Sequence, residues 1–397
     1  MPPTHENTDN QVFHIDVGRY LATLDVPADV ADDVRSTFRD LISNNTSARR
    51  VHIVVKHIAG GHRVTVNGAR WEPPPGQSVI DQLIYVLLRA TLDAEPDCLH
   101  VHAGYVALAG RGVFVAGCPG SGKSTLVTKL VEDGFDYLTD ERVGVDRGLR
   151  LWPLPKPVSL VRTSFPLLPH LDPGLTGHGG ASENLWHVPA SALRPASTVH
   201  MAKLTAIVFV QFEPRAPLLI TDLHPVEAAR LLLVDSPDAV RFGPDGVPLA
   251  AALCAANRCV RLVYGDTAQA VAAIRTVVLS QHTTAPAEVL TLPPSTRQRS
   301  GRSRAPLGVH SVLRRRDDVS GVCIDGRSLL HQGPHGQVVE LPEAPTAWLQ
   351  LFDGRTALTD IIDEVAEANE LPVAQVAPMA LQAARTLIDL AVVEAVA

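Results

Sequence analysis

The segment Gly112-Val-Phe-Val-Ala-Gly-Cys-Pro-Gly-Ser-Gly-Lys-Ser-Thr-Leu126 decides how this chain folds. From Gly117 to Ser124 it satisfies the pattern G-x-x-x-x-G-K-[ST], and that spacing has a physical reason. Glycines let successive backbone N–H groups turn inward around a phosphate, and a helix starting at the end of the loop adds its positive dipole end. The lysine reaches the β- and γ-phosphates, and the hydroxyl after it is a ligand for Mg²⁺. Gly117, Cys118, Pro119, Gly120, Ser121, Gly122, Lys123, Ser124 and Thr125 are therefore the expected nucleotide-binding set, with ATP and Mg²⁺ as cofactors and Ser124 on the metal. Gly112–Ala116 is apolar and predicts a short buried strand before the loop. Leu126, Val127, Leu130 and Val131 share one face of a following helix that Gly134 would cap. Strand, glycine loop and helix together predict an α/β nucleotide-binding core.

After the loop helix, a short strand over Phe135–Thr139 is predicted to end in an acidic pair, Asp140-Glu141, with Asp140 only 17 residues beyond Lys123. Upstream, His102 lies 21 residues before Lys123, on the strand pattern Leu99-His-Val-His-Ala-Gly-Tyr-Val-Ala-Leu108. Alternation places His100 and His102 on one face. With no third ligand evident, a metal pair is the weaker reading of that His-x-His. Further on, Trp152-Pro-Leu-Pro-Lys-Pro-Val-Ser-Leu160 reads as a proline-broken strand. Its one lysine, Lys156, is open to two readings, a phosphate or substrate contact and a solvated loop residue.

His102-Ala103-Gly104, Gly120-Ser-Gly-Lys-Ser124 and Leu138-Thr-Asp-Glu-Arg-Val143 together resemble, in order and spacing, the HPr kinase/phosphorylase family. The catalytic domain of that family is a P-loop variant related to phosphoenolpyruvate carboxykinase. The resemblance runs from about Leu99 to Thr276 and implies a phosphotransferase. It implies that Asp140 takes the proton from the accepting hydroxyl, that Glu141 helps Ser124 to hold Mg²⁺, and that His102 lies close to the reacting phosphate, with Lys123 as clamp. Such roles suit the chemistry: a hydroxyl is a poor nucleophile until a carboxylate accepts its proton, and phosphoryl transfer otherwise needs positioning and charge neutralisation. Because that family forms rings, a homo-oligomer is implied as well. Two departures stand out. Thr125 occupies the place of the family's acid after the loop serine, and Arg147-Gly148-Leu149-Arg150 is only a fragment of its later Arg-Gly-x-Gly-Ile-Ile signature. The passage around Lys156 instead looks like divergent relatives from peptide-modification pathways, including the kinases of lasso peptide maturation. Phosphocarrier HPr is therefore not the expected substrate.

At 397 residues the chain is long enough for two or three domains at roughly 150 residues each. With 46% hydrophobic and 19% charged residues it is a folded globular sequence. The net charge of −7 argues against a chain-wide nucleic-acid surface. Its longest apolar run, near Leu204–Phe212, is half of a bilayer span, and the polar start has no secretion signal. Five cysteines without a C-x-x-C spacing fit a reducing compartment. A cytoplasmic protein with no membrane partner is expected. Composition shifts predict four parts. Residues 11–95 form an N-terminal α/β unit, with a helix over Asp29–Ile42, a hairpin over Arg50–Lys56 and Arg63–Asn67, and a buried helix over Ser78–Ala94. Residues 96–281 form the P-loop domain, residues 282–306 a Thr-, Pro-, Ser- and Arg-rich linker, and residues 307–397 a small C-terminal unit.

That last unit reads as strands over Ser311–Arg316, Gly321–Asp325 and Gln337–Leu341, then helices over Pro345–Phe352, around Leu358–Val365, and from about Val373 to Leu390, where Pro378 predicts a late start or a kink. With Leu351-Phe-Asp-Gly-Arg-Thr-Ala-Leu-Thr-Asp-Ile-Ile-Asp-Glu-Val-Ala366 in its middle it resembles the PqqD-type peptide-recognition domain. That resemblance implies a winged-helix-like fold that binds precursor-peptide leaders as an added strand. Arg297, Arg299, Arg302, Arg304, Arg314, Arg315 and Arg316 read first as a solvated linker and second as capture of an acidic leader or of nucleic acid. The expected function is an ATP-dependent kinase of a ribosomally made precursor peptide. A nucleotide-gated peptide chaperone without phosphoryl transfer is the alternative, and a transcriptional regulator is a weaker third.

Overall fold

The computed structural model describes residues 10–44, 50–58, 61–71, 77–171, 178–179, 185–195, 197–236, 242–280, 287–292, 306–333 and 337–396. It is a mixed α/β structure in two units: the described residues up to Asp222 with those from Val260 to Ser280, and those of 223–259 with those from 287 onward.

The first unit opens with a five-stranded sheet of β1 (Gln11–Asp16), β2 (Leu21–Val26), β3 (Arg50–Ile58), β4 (Gly61–Val66) and β5 (Ala69–Trp71), in that spatial order. Helices α1 (Ala28–Thr37) and α2 (Val79–Ala94) bury Val30, Val34, Leu83 and Leu87 in its core. The expected first helix stops at Thr37 rather than Ile42; Phe38 and Leu41, whose spacing suggested helix, are buried in the turn that follows. Helix α2 starts in a capping box. Ser78 Oγ accepts from the Asp81 N–H, and the Asp81 carboxylate accepts from the Ser78 N–H.

The chain continues through β6 (Leu99–Val101), β7 (Ala103–Leu108), β8 (Arg111–Ala116), α3 (Lys123–Glu132), β9 (Asp136–Thr139), β10 (Val143–Val145), β11 (Leu151–Pro153) and β12 (Val158–Val161). Next come β13 (His178–Gly179), β14 (Leu185–Val188), β15 (Lys203–Phe212), β16 (Leu219–Asp222), β17 (Arg258–Tyr264) and α4 (Thr267–Leu279). A six-stranded sheet has the order β16-β17-β15-β8-β7-β9, flanked by small sheets β11-β10-β6 and β12-β14-β13. It is mixed: β15 runs parallel to β8, whereas β7 is antiparallel to both β8 and β9. The apolar face of α3 that the sequence marked, Leu126, Val127, Leu130 and Val131, is wholly buried in one core with Ile274 and Val277 of α4. After α3, Gly134 takes φ +100° and the Phe135 N–H reaches back to the Leu130 carbonyl, a glycine-ended helix as predicted.

In the second unit the helices Pro225–Val234 and Gly246–Ala255 pack on each other and against strands of the C-terminal sequence. Those strands are β18 (Leu290–Leu292), β19 (Val312–Arg315), β20 (Val319–Ile324), β21 (Arg327–Gln332) and β22 (Gln337–Leu341), followed by α5 (Glu343–Leu351), β23 (Asp353–Ala357), α6 (Leu358–Ala368), α7 (Val373–Asp389) and β24 (Val393–Val396). They form sheets β18-β20-β21-β22 and β23-β19-β24. Several features differ from the sequence reading, among them strands β23 and β24, which were not expected. Leu290–Leu292, inside the stretch read as a linker, pairs with β20. Strand β21 was unexpected because, buried on both faces, it lacks the alternation that marks half-buried strands. Helix α7 begins at Val373 and contains Pro378, so it does not start late. Of the arginine run, Arg297, Arg299, Arg302 and Arg304 lie outside the described residues. Arg314 is paired with Glu394 at 2.6 Å and Arg316 with Asp318 at 2.9 Å, so these two already have local acidic partners.

Candidate active site

Strand β8 ends at Ala116, and the chain turns through Gly117 (φ +147°), Gly120 (φ +82°) and Gly122 (φ +89°) into α3. Space adds to the positive φ at two of these. A Cβ on Gly117 would stand 2.6 Å from the Val210 carbonyl oxygen, and one on Gly122 would stand 2.7 Å from the Tyr264 hydroxyl. Gly122 gives the first turn of α3 no side-chain cap, so orphan amides and the positive dipole end face the loop. Lys123 is buried and its ammonium donates to the carbonyls of Gly117 and Cys118, inside the loop. Ser121 Oγ is buried with no hydrogen-bond partner among the described residues. A hydroxyl so placed is costly unless a ligand meets it. Inward cation, uncapped amides and an orphan hydroxyl fit the phosphates of a nucleotide, and Ser124, in the first turn of α3, is the hydroxyl that would hold Mg²⁺. Thr125 does something else with its side chain: Oγ1 lies 2.8 Å from Ser164 Oγ and ties α3 to the segment after β12.

Replacing Lys123 by Ala should abolish tight ATP binding, because the phosphates lose their central cation. Of the five cysteines only Cys118 is exposed. Alkylating the native protein should therefore add one group per chain and weaken ATP binding by bulk within the loop. Full affinity in singly alkylated protein would show that this thiol points away from the nucleotide.

Sheet register brings the other expected residues to the loop. Ala103 at the start of β7 pairs with Ala116 at the end of β8, and Tyr105 pairs with Thr139 at the end of β9. His102, Gly117 and Asp140, each the next residue beyond these strand ends, thus share one edge of three adjacent strands. Two strand spacings make that edge roughly 10 Å wide. His102 Nε2 is 3.8 Å from Glu141 Oε1, and both side chains are partly exposed.

The two acids differ in a way that their sequence does not reveal. The Asp140 side chain has 0% exposure, and its Oδ1 lies 2.6 Å from Lys156 Nζ. The Tyr137 hydroxyl donates to the same oxygen at 2.9 Å and the Ser159 N–H to Oδ2 at 3.0 Å. Burial, and after it the Asp140 charge, hold the Tyr137 pKa well above its ordinary value, so this hydroxyl keeps its proton to donate. A carboxylate held by these contacts and shut from solvent is less accessible to an incoming hydroxyl than its neighbour in the chain. Asp140, expected as the base, is thus the held acid of the pair. Glu141, 32% exposed, with its oxygens 3.8 Å from His102 and 3.9 Å from Lys156, is the accessible acid of the pair.

Lys156 is no solvated loop residue. It is 4% exposed and also donates to Ser159 Oγ at 2.9 Å and the Pro157 carbonyl at 3.1 Å. Ser159 Oγ meets His187 Nδ1 at 3.2 Å across the β12–β14 pair, and His187 Nε2 meets Asp81 Oδ1 at 2.6 Å. A buried polar chain therefore runs from the capping box of α2 to Asp140. Sequence reading missed Tyr137, Ser159, His187 and Asp81 in this role. The one available signal was Pro155 and Pro157 around Lys156: a segment lacking those two backbone donors can be buried without a sheet partner for them.

His100 does not share a site with His102. The chain breaks at His102, β6 and β7 enter different sheets, and buried His100 lies 3.9 Å from Glu95 Oε2. Burial, aided by Asp97 and opposed by Arg19, pushes the Glu95 carboxyl from its ordinary 4.5 up to about 7. A raised acid is best tolerated protonated, so its contribution to stability is complete below pH 4.5 and is lost as pH rises to about 7. The loss is of order 3 kcal/mol. Glu95→Gln should therefore gain stability relative to wild type across that window, measured by denaturant unfolding at several pH values. A difference that does not change with pH would contradict the assignment.

No family model matches the chain, and no curated protein matches it. Among solved structures, it is similar to the HPr(Ser) kinase/phosphatase from Coxiella burnetii, at 11% identity and a TM-score of 0.24, covering 45% of this chain and 93% of that one. A TM-score of that size leaves the functional reading to the site itself. Among the described residues no helix is long and apolar enough to cross a membrane.

Proposed function

We propose that this chain is an ATP- and Mg²⁺-dependent kinase that phosphorylates a hydroxyl of a ribosomally made precursor peptide. The observation that supports it is the shared edge at which β8, β7 and β9 deliver the glycine loop, His102 and the acidic pair. Mg²⁺, held by Ser124, supplies charge neutralisation on the phosphates when bound. Lys123 and the amides of the loop hold the phosphates. Glu141 accepts the proton of the peptide hydroxyl, with His102 beside it. Asp140, held by Lys156, forms the fixed wall of the site and sets the position of Glu141, its neighbour in the chain.

Residues 307–397 hold the leader in this reading, as a strand added to an open sheet edge. Strand β22, partly exposed along Gln337–Glu340, is one such edge. Cutting the chain near His282 is not a clean test, because the helices Pro225–Val234 and Gly246–Ala255 would lose their packing partners in the second unit. The better experiment adds free leader peptide in trans and follows phosphate transfer. Competition should raise the KM for full-length precursor and leave kcat and the leaderless core peptide unaffected. Equal inhibition of both peptides would remove the leader-binding role.

A further inference from the structure

We propose that Asp29, His57 and His62 form a divalent-metal site of the zinc class on the N-terminal sheet, apart from the nucleotide-binding residues. The β3–β4 hairpin pairs His57 directly with His62, and their rings stand 4.7 Å apart at 40°. Asp29, in the first turn of α1, presents one oxygen to each: Oδ1 is 2.9 Å from His57 Nε2 and Oδ2 is 3.7 Å from His62 Nε2. One donor atom from each of the three residues lies within 4.8 Å of the other two. With Zn–N and Zn–O bonds of about 2.0–2.1 Å, the edge of a tetrahedral site is roughly 3.4 Å. The His57–Asp29 separation is shorter than that edge and the other donor separations are at most 4.8 Å, so side-chain rotation has to close the site.

Part of the cluster has an ordinary explanation. Asp29 complements the positive end of α1 and hydrogen-bonds His57. Neither fact accounts for His62, whose Nε2 is shielded from solvent and has no hydrogen-bond partner among the described residues. An imidazole nitrogen in that state lacks the partner that such atoms normally find. A metal held also by His57 and Asp29 provides it. Two imidazoles and one carboxylate suit zinc and its first-row neighbours rather than Mg²⁺ or Ca²⁺. Asp29 and His57 are each more than half exposed, so the fourth position opens to water. The site pins α1 to the hairpin and leaves one coordination position for an outside ligand.

The test uses the full chain, stripped with chelator and titrated with zinc sulfate alone, with no nucleotide present. Calorimetry should find one zinc per chain, and thermal unfolding should shift upward with zinc as binding to the folded state requires. His62→Ala and Asp29→Asn should each weaken binding by at least about tenfold, since even outer-shell partners are worth that much. His57→Gln, at an exposed position, covers the case in which His62→Ala does not fold. His200→Ala, outside the cluster, should bind as wild type does. Cobalt(II) should give a tetrahedral absorption without the charge-transfer band of a thiolate, which separates this site from binding at Cys118. Zinc affinity unchanged in His57→Gln and Asp29→Asn, or no zinc bound by the wild type, would overturn the proposal.

Discussion

Glu141→Gln should lower the proposed phosphate transfer by about 10²–10⁴-fold, the usual worth of a general base, while ATP affinity should stay within a few-fold of wild type. The substitution keeps the shape of the side chain and removes only its capacity to accept a proton. The Lys123 cradle lies on another strand end and keeps its contacts with the loop carbonyls. Because the lost interaction belongs to the transition state, kcat and kcat/KM should fall together. Transfer at the wild-type rate would return the base role to Asp140, despite its burial.

Asp140→Asn has its largest effect on the fold. The carboxylate is the partner of Lys156 at 2.6 Å, and that lysine is 4% exposed. Removing one charge of a buried pair leaves the other uncompensated, which costs about 3–5 kcal/mol, on the scale of a small domain's whole stability. Unfolding of the first unit, followed by denaturant titration, should show that loss. Pairing Asp140→Asn with Lys156→Met should recover much of it, because both charges then leave together. If Asp140 were simply an unpaired catalytic acid, the single variant would fold as stably as wild type and lose only activity.

How much could be seen in the sequence follows the distance over which each feature is encoded. The loop, its strand and the apolar face of α3 are written within Gly112–Val131 and fold as they read. The hairpin of β3 and β4 and the helix after Ser78 are equally local. His102 and the acidic pair were legible as candidates because β7, β8 and β9 are consecutive in sequence as well as adjacent in the sheet. Which acid is accessible was not legible, since that depends on Lys156 and Ser159 closing over Asp140. The contact between His187 and Asp81 spans 106 residues and has no local signature at all. The helices Pro225–Val234 and Gly246–Ala255 are apolar enough to recognise, yet nothing in their own residues says that their partners are β20–β22. The contact of the Thr125 hydroxyl with Ser164, 39 residues away, likewise has no local signature.

Transfer of a phosphate to a peptide at the edge where β8, β7 and β9 meet is tested most directly by intact-mass analysis of a candidate precursor peptide after incubation with the purified protein and Mg-ATP. A gain of one phosphate is expected with wild-type protein, little or none with Glu141→Gln, and none with Lys123→Ala. A precursor that binds the protein tightly in the presence of ATP and leaves at unchanged mass would contradict it, and would mark the chain as a nucleotide-gated carrier of the peptide.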